Sequence, residues 1–173
     1  MIITGSAVLL RYCVIAKTLL ILNGTAPVIQ NTTIYNTETE VVATCTIQNS
    51  IGNNNLLPSV DIDIDAAQTV TGQNNCFKDA AKTGAGTYTD TDSLWSTDPL
   101  MNDPAAADFT LQAASPCIDA GDDVGLTEDY AGNPIIGIPD IGAFESQLER
   151  HYLIQNIIQR IVQNPIKKGI KKE

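Results

Sequence analysis

Ser115-Pro116-Cys117-Ile118-Asp119-Ala120-Gly121 returns in altered form as Pro139-Asp140-Ile141-Gly142-Ala143-Phe144-Glu145. Pro116 has no N–H to give to a ladder, so an extended segment starts there. Asp119 can accept backbone N–H groups, and Gly121 can take the positive φ that other residues avoid. Asp140 and Gly142 repeat the device around Ile141. The two phrases therefore predict structural turns at Asp119, Gly121, Asp140 and Gly142. These turns lay Ile118 and Ile141, with Phe109, Leu111 and Phe144, on one apolar surface. A second reading makes Asp119 and Asp140 a convergent carboxylate pair, as in glycoside hydrolysis. The favoured reading keeps them structural and assigns no catalytic residue.

Upstream, from Met1 to about Phe77, short apolar runs are broken by Gly, Asn and Thr: Ala7 to Leu10, Cys13 to Ile15, Leu19 to Leu22, Val28-Ile29, Thr33 to Tyr35, Val41 to Ala43 and Cys45 to Ile47. None is long enough for two helical turns, and breakers recur every few residues. Asn31-Thr32-Thr33-Ile34-Tyr35-Asn36 is echoed by Thr44-Cys45-Thr46-Ile47-Gln48-Asn49 and, more loosely, by Tyr12-Cys13-Val14-Ile15. Recurrent short strands that cannot bury an inner face alone predict a solenoid. Aligning these phrases gives about three coils at unequal intervals.

Val60-Asp61-Ile62-Asp63-Ile64-Asp65 alternates with period two, placing Asp61, Asp63 and Asp65 on one strand face about 7 Å apart. Such a row is a candidate calcium site; the plainer reading is a charged outer face that blocks edge pairing. Residues 78–108 are loop-rich. Gly84-Ala85-Gly86 lacks the spacing of a nucleotide fingerprint. Tyr88 and Trp95 are read either as packing against the solenoid wall or as a sugar-stacking platform.

The chain has 173 residues and a net charge of −10. Between residues 58 and 145 the only bases are Lys78 and Lys82. That balance argues against nucleic acid, whose phosphates need clustered cations. Cys13, Cys45, Cys76 and Cys117 lie far apart without a CxxC, which argues against zinc. They read as small buried hydrophobes, with one or two disulfides in an exported protein as the alternative. Arg11 and Lys17 interrupt the apolar N-terminal stretch, so a signal or membrane segment is not expected there.

From Asp98 onward, Asp98-Pro99-Leu100, Asp103-Pro104, Asp108-Phe109-Thr110-Leu111, Ser115 to Gly121, Asp129-Tyr130-Ala131-Gly132-Asn133-Pro134 and Asp140 to Glu145 follow one another in order. This set resembles the C-terminal end of right-handed parallel β-helix proteins of the pectate-lyase-like superfamily, in particular bacterial surface and secreted members. The resemblance implies a β-helix ending in a packed tail. It also brings in carbohydrate chemistry, often with calcium, although no catalytic motif of that superfamily maps onto this chain.

Ser146-Gln147-Leu148-Glu149 is a capping box. Leu153, Ile157 and Ile161 with Ile154, Ile158 and Val162 fill one half of the helix that follows, and Pro165 ends it. That stripe needs a cover: the solenoid's end, if the helix is a cap, or another subunit. His151, the sole histidine, falls at the stripe's edge.

The sequence thus predicts an all-β chain: parallel β-helix coils over 1–77, a loop-rich tail packed on them over 78–145, an amphipathic helix over 146–164 and a basic tail over 165–173. Its expected role is a structural or adhesive module of an extracellular surface assembly, a virion or a phage tail. The alternatives are a carbohydrate-active enzyme fragment and a carbohydrate- or calcium-binding module. Expected partners are copies of itself or other subunits, met through the helix and the open N-terminal coil, and a polysaccharide. Nucleic acid and membrane are not expected partners, and no cofactor is expected beyond the calcium option.

Overall fold

The computed structural model describes residues 2–3, 8–16, 19–23, 26–36, 38–41, 43–53, 62–78, 82–147 and 158–160. The chain winds into a parallel β-solenoid with three faces, each five strands deep. The first rung is β1 (Ile2–Ile3), β2 (Leu9–Arg11) and β3 (Val14–Ala16). The second is β4 (Leu19–Leu22), β5 (Val28–Gln30) and β6 (Thr33–Tyr35). The third is β7 (Glu38–Val41), β8 (Cys45–Gln48) and β9 (Ile51–Asn53). The fourth is β10 (Ile62–Ile64), β11 (Thr69–Gln73) and β12 (Cys76–Lys78), and the fifth is β13 (Lys82–Gly84), β14 (Thr87–Thr91) and β15 (Leu94–Trp95). The repeated phrases reveal fewer rungs than this. The fifth is drawn from a stretch whose Thr, Gly and Asp residues read as loop.

The register also differs from the phrase alignment. Ile29 stacks on Ile47 and Gln30 on Gln48, while Thr33 stacks on Ile51. The true echo of Val28-Ile29-Gln30-Asn31 is Thr46-Ile47-Gln48-Asn49, and Asn36 is not the counterpart of Asn49. What fixes the register is a corner. Tyr12, Asn31, Asn49, Asn74 and Asp92 each carry a φ between 45° and 56° and sit between the second and third faces of successive rungs. Asn and Asp tolerate this left-handed bend better than most residues.

The residue after each bend ties its rung to the next. Ser50 Oγ accepts from Thr32 N, Asn75 Oδ1 from Ser50 N, and Ser93 Oγ from Asn75 N. The residue before it extends the tie outward, as Arg11 Nε donates to Gln30 and Gln30 Nε2 to Gln48.

Inside the coil, Ile15, Leu22, Ile29, Ile34, Cys45, Ile47, Ile62, Ile64, Val70 and Phe77 form the core. Each buried aliphatic side chain stabilises by roughly 1.5–3 kcal/mol. Phe77, Tyr88 and Trp95 close its lower end, with ring centroids 4.5 Å apart for Phe77–Trp95 and 5.3 Å for Tyr88–Trp95. This is the packing role considered for Tyr88 and Trp95.

The third face is buried on both sides. Ile51 and Cys76 point outward from it, yet are covered by Met101, Phe109, Cys117 and Ile141 of the tail in a second core. The cover begins with an antiparallel hairpin of β16 (Met101–Asp103) and β17 (Asp108–Leu111), joined by a 3-10 turn at Pro104–Ala106. Residues 115–145 then form a strap across the corner. Ile141 N donates to Cys117 O and Gly121 N to Pro139 O, so the two quoted phrases lie side by side.

Candidate functional site

The strap reads the corner one rung at a time. Asn31 Nδ2 donates to Asp140 O at 3.5 Å, Asn49 Nδ2 to Asp122 O at 2.7 Å and Asn74 Nδ2 to Ala120 O at 3.1 Å. Asn49 Oδ1 accepts Asp122 N, and Gly142 N donates to Asn49 O. Gln73 Nε2 reaches the Asp122 carboxylate.

Asp119 takes the positive φ, at 52°, and Gly142 has φ 117°. Gly121 does not adopt one. It is small because the strap closes on itself: a Cβ there would lie 2.9 Å from Pro139 O and 3.2 Å from Asn49 Cγ. Ile141 is buried in the second core, whereas Ile118 is half-buried.

Asp140 holds the strap's end. Its Oδ1 accepts Asp119 N at 2.8 Å, its Oδ2 accepts Ser146 N, and its own N–H goes to Glu145 Oε1. Asp129 binds Ala131 N and Asn133 N through Oδ1, and Asn133 Nδ2 and Glu145 N through Oδ2. These carboxylates occupy acceptor positions for backbone donors, which is what a loop without strands requires.

Burial, and after it the neighbouring negative charges, raise the pKa of Asp140 and Glu145. Burial lifts Asp140, against the pull of its N–H partners. Glu145 is pushed up to about 7, first by burial and then by the Asp140 charge, with Asp129 and Asp119 adding to it. A raised folded pKa means that the native state binds more protons than the unfolded chain. The stabilisation is therefore complete below about 4.5 and is lost as pH rises through about 7. After allowance for solvent screening it amounts to about 1–2 kcal/mol, or roughly 3–6 °C in melting temperature. Glu145→Gln is expected to remove this slope between pH 5 and pH 8; equal slopes in variant and wild type would refute the assignment.

A hollow of about 420 Å³ opens between the third face, the hairpin and the strap. Val14, Ala16 and Tyr35 form its floor, Pro104, Ala105, Ala107 and Phe109 one wall, and Tyr130 and Phe144 the other. Two edge-to-face ring pairs frame it, Tyr35–Phe109 at 5.4 Å and Tyr130–Phe144 at 5.3 Å. Tyr130 is 55 % exposed, and among the described residues no charged side chain lines the hollow.

The remaining expected sites fare differently. Asp63 is half-buried and accepts from Thr83 Oγ1, Asp65 is exposed, and Asp61 lies outside the described residues. Among the described residues no group of three or more His, Cys, Asp and Glu is placed to hold a metal. Leu153, Ile154, Ile157, Ile161 and Val162 of the partner stripe also lie outside them, as do His151, Glu149 of the capping box and the basic tail. Ile158 is on a described helical turn, residues 158–160, and is exposed. No protein-family model, curated protein or solved structure matches this chain. The structure itself defines the class: a parallel β-solenoid with a side strap.

Proposed function

We propose that this chain is a non-enzymatic, adhesive and structural β-helix module of an extracellular surface assembly, on a cell or on a virion or phage tail, and that it holds a neutral glycan in the aromatic hollow. The aromatic hollow carries this reading. Ring faces offer apolar contact to the C–H face of a sugar, and a volume of about 420 Å³ falls within the range of small-ligand sites. The described lining is uncharged, which on a chain of net charge −10 favours a neutral glycan over an anionic polysaccharide. Stacked parallel ladders give a stiff frame for such a site. The finer kinship, a right-handed helix of the pectate-lyase-like type with a surface-protein tail, is supported by the six phrases between 98 and 145 making one continuous cover over the third face.

Titration of the full chain with neutral gluco-, galacto- and manno-oligosaccharides, followed by NMR or calorimetry, tests the reading. Tyr130→Ala is expected to weaken binding by about tenfold or more, as one stacked ring is lost, while melting stays near wild type because Tyr130 is largely exposed. No response of the hollow to any neutral glycan would overturn it.

A further inference from the structure

We propose that Cys76 and Cys117 are a latent disulfide that fastens the strap to the fourth rung when the chain matures in an oxidising compartment. All four cysteines are free thiols in the structure, but they are not equivalent. Cys45 belongs to the inner core, and the half-buried Cys13 donates to Arg11 O. Cys76 and Cys117 belong to the outer core, and neither exposes any surface.

Cys76 sits on β12, in register with Ile51 above and Leu94 below. Cys117 is brought to it from the strap, held by Ser115 Oγ on its N–H and by Ile141 N on its carbonyl. Cys117 and Cys76 are thus packed, both fully buried, in the same small outer core, where Cys76 Sγ also points at Thr97 O at 3.5 Å. One thiol therefore belongs to the solenoid and its partner to the cover, across a seam that apolar packing and hydrogen bonds otherwise close without a covalent link.

The same burial makes the docked pair inert, because the Cys117 contact and desolvation both push the Cys76 thiol up. Oxidation belongs to the moment when the strap is open. The Cys117 thiolate attacks the disulfide of an oxidised dithiol catalyst or of oxidised glutathione, releasing one reduced sulfur and leaving a mixed disulfide. Cys76 sulfur then attacks the Cys117 side of that bond and releases the second. Two protein thiols become one disulfide, and the oxidant takes up two electrons and two protons. In a reducing compartment the pair stays as two thiols and the strap is held non-covalently.

The test refolds the full chain in oxidised and in reduced glutathione. Peptide mapping without reduction is expected to join the Cys76 and Cys117 peptides in the oxidised sample, with Cys13 and Cys45 still alkylatable. Melting is expected to rise by about 5–10 °C over the reduced sample. Cys117→Ala, which keeps the small apolar volume, should abolish both the joined peptide and the difference between the two buffers. Thiols that remain free at Cys76 and Cys117, a bridge to Cys13 or Cys45, or a bridge that lowers the melting temperature would each overturn the proposal. The inference stands on the strap's geometry and is independent of the glycan reading.

Discussion

Asn49→Ala is expected to be the most damaging single substitution at the strap, lowering stability by about 3–4 kcal/mol and melting by about 10 °C. Asn49 is fully buried and serves three purposes at once. Its side chain bonds both the carbonyl and the N–H of Asp122 and reaches Asn31 Oδ1 at 3.3 Å. Its backbone takes the left-handed corner at φ 50°, which alanine tolerates poorly. Its carbonyl receives Gly142 N–H. Alanine keeps only the last of these and takes the side-chain partner from the part-buried N–H and carbonyl of Asp122. Limited proteolysis should then cut within residues 115–145, while the solenoid rungs stay protected. A variant that melts within about 2 °C of wild type and resists the protease would show that the corner does not hold the strap.

Gly72→Val is expected to open the lower end of the inner core, at about 3 kcal/mol. The reason is space. A Cβ on Gly72 would lie 2.1 Å from Tyr88 Oη and 2.5 Å from its Cζ. Tyr88 cannot retreat easily, because Phe77 and Trp95 both pack against it edge-on. Trp95 is the only tryptophan, so its fluorescence reports this rung alone. Its emission should shift to the red in Gly72→Val. In a Tyr88→Leu background the same substitution should cost less than about 1 kcal/mol, since the clashing ring is gone. An equal cost in both backgrounds would mean that strand geometry, not the ring, makes glycine necessary at 72.

Much of this fold was legible because its punctuation is chemical. Proline, aspartate and glycine mark the strap, and the apolar runs between Asn and Thr mark the upper rungs. The register is not legible from similar side-chain phrases, because the backbone repeats at the corner residue. Gln30 and Gln48 stand 18 residues apart, but Ser50 and its partner Asn75 stand 25 apart. An added segment between β9 and β10 breaks any fixed period. The fifth rung was hidden because β14 sends only Tyr88 inward among threonines and an aspartate, so it lacks an apolar run. Gly121 looked like a turn residue when its task is close approach to Pro139. The hollow left no local signal at all. Its lining comes from four separate stretches, around residues 14–16, 35, 104–109 and 130–144, and only the strap brings them together.

The corner contacts have a consequence for how the chain keeps count. Asn31, Asn49 and Asn74 belong to three successive rungs, and each meets a different point of the strap. The strap therefore works as a gauge laid across the stack. It seats only when those three rungs are present, adjacent and in register, since its partners lie as far as 110 residues upstream. A stack that slipped by one rung, or lost one, would present the wrong residue at each mark and leave the hollow without its second wall. Assembly of the hollow is in this way conditional on the stack having been built to the right length.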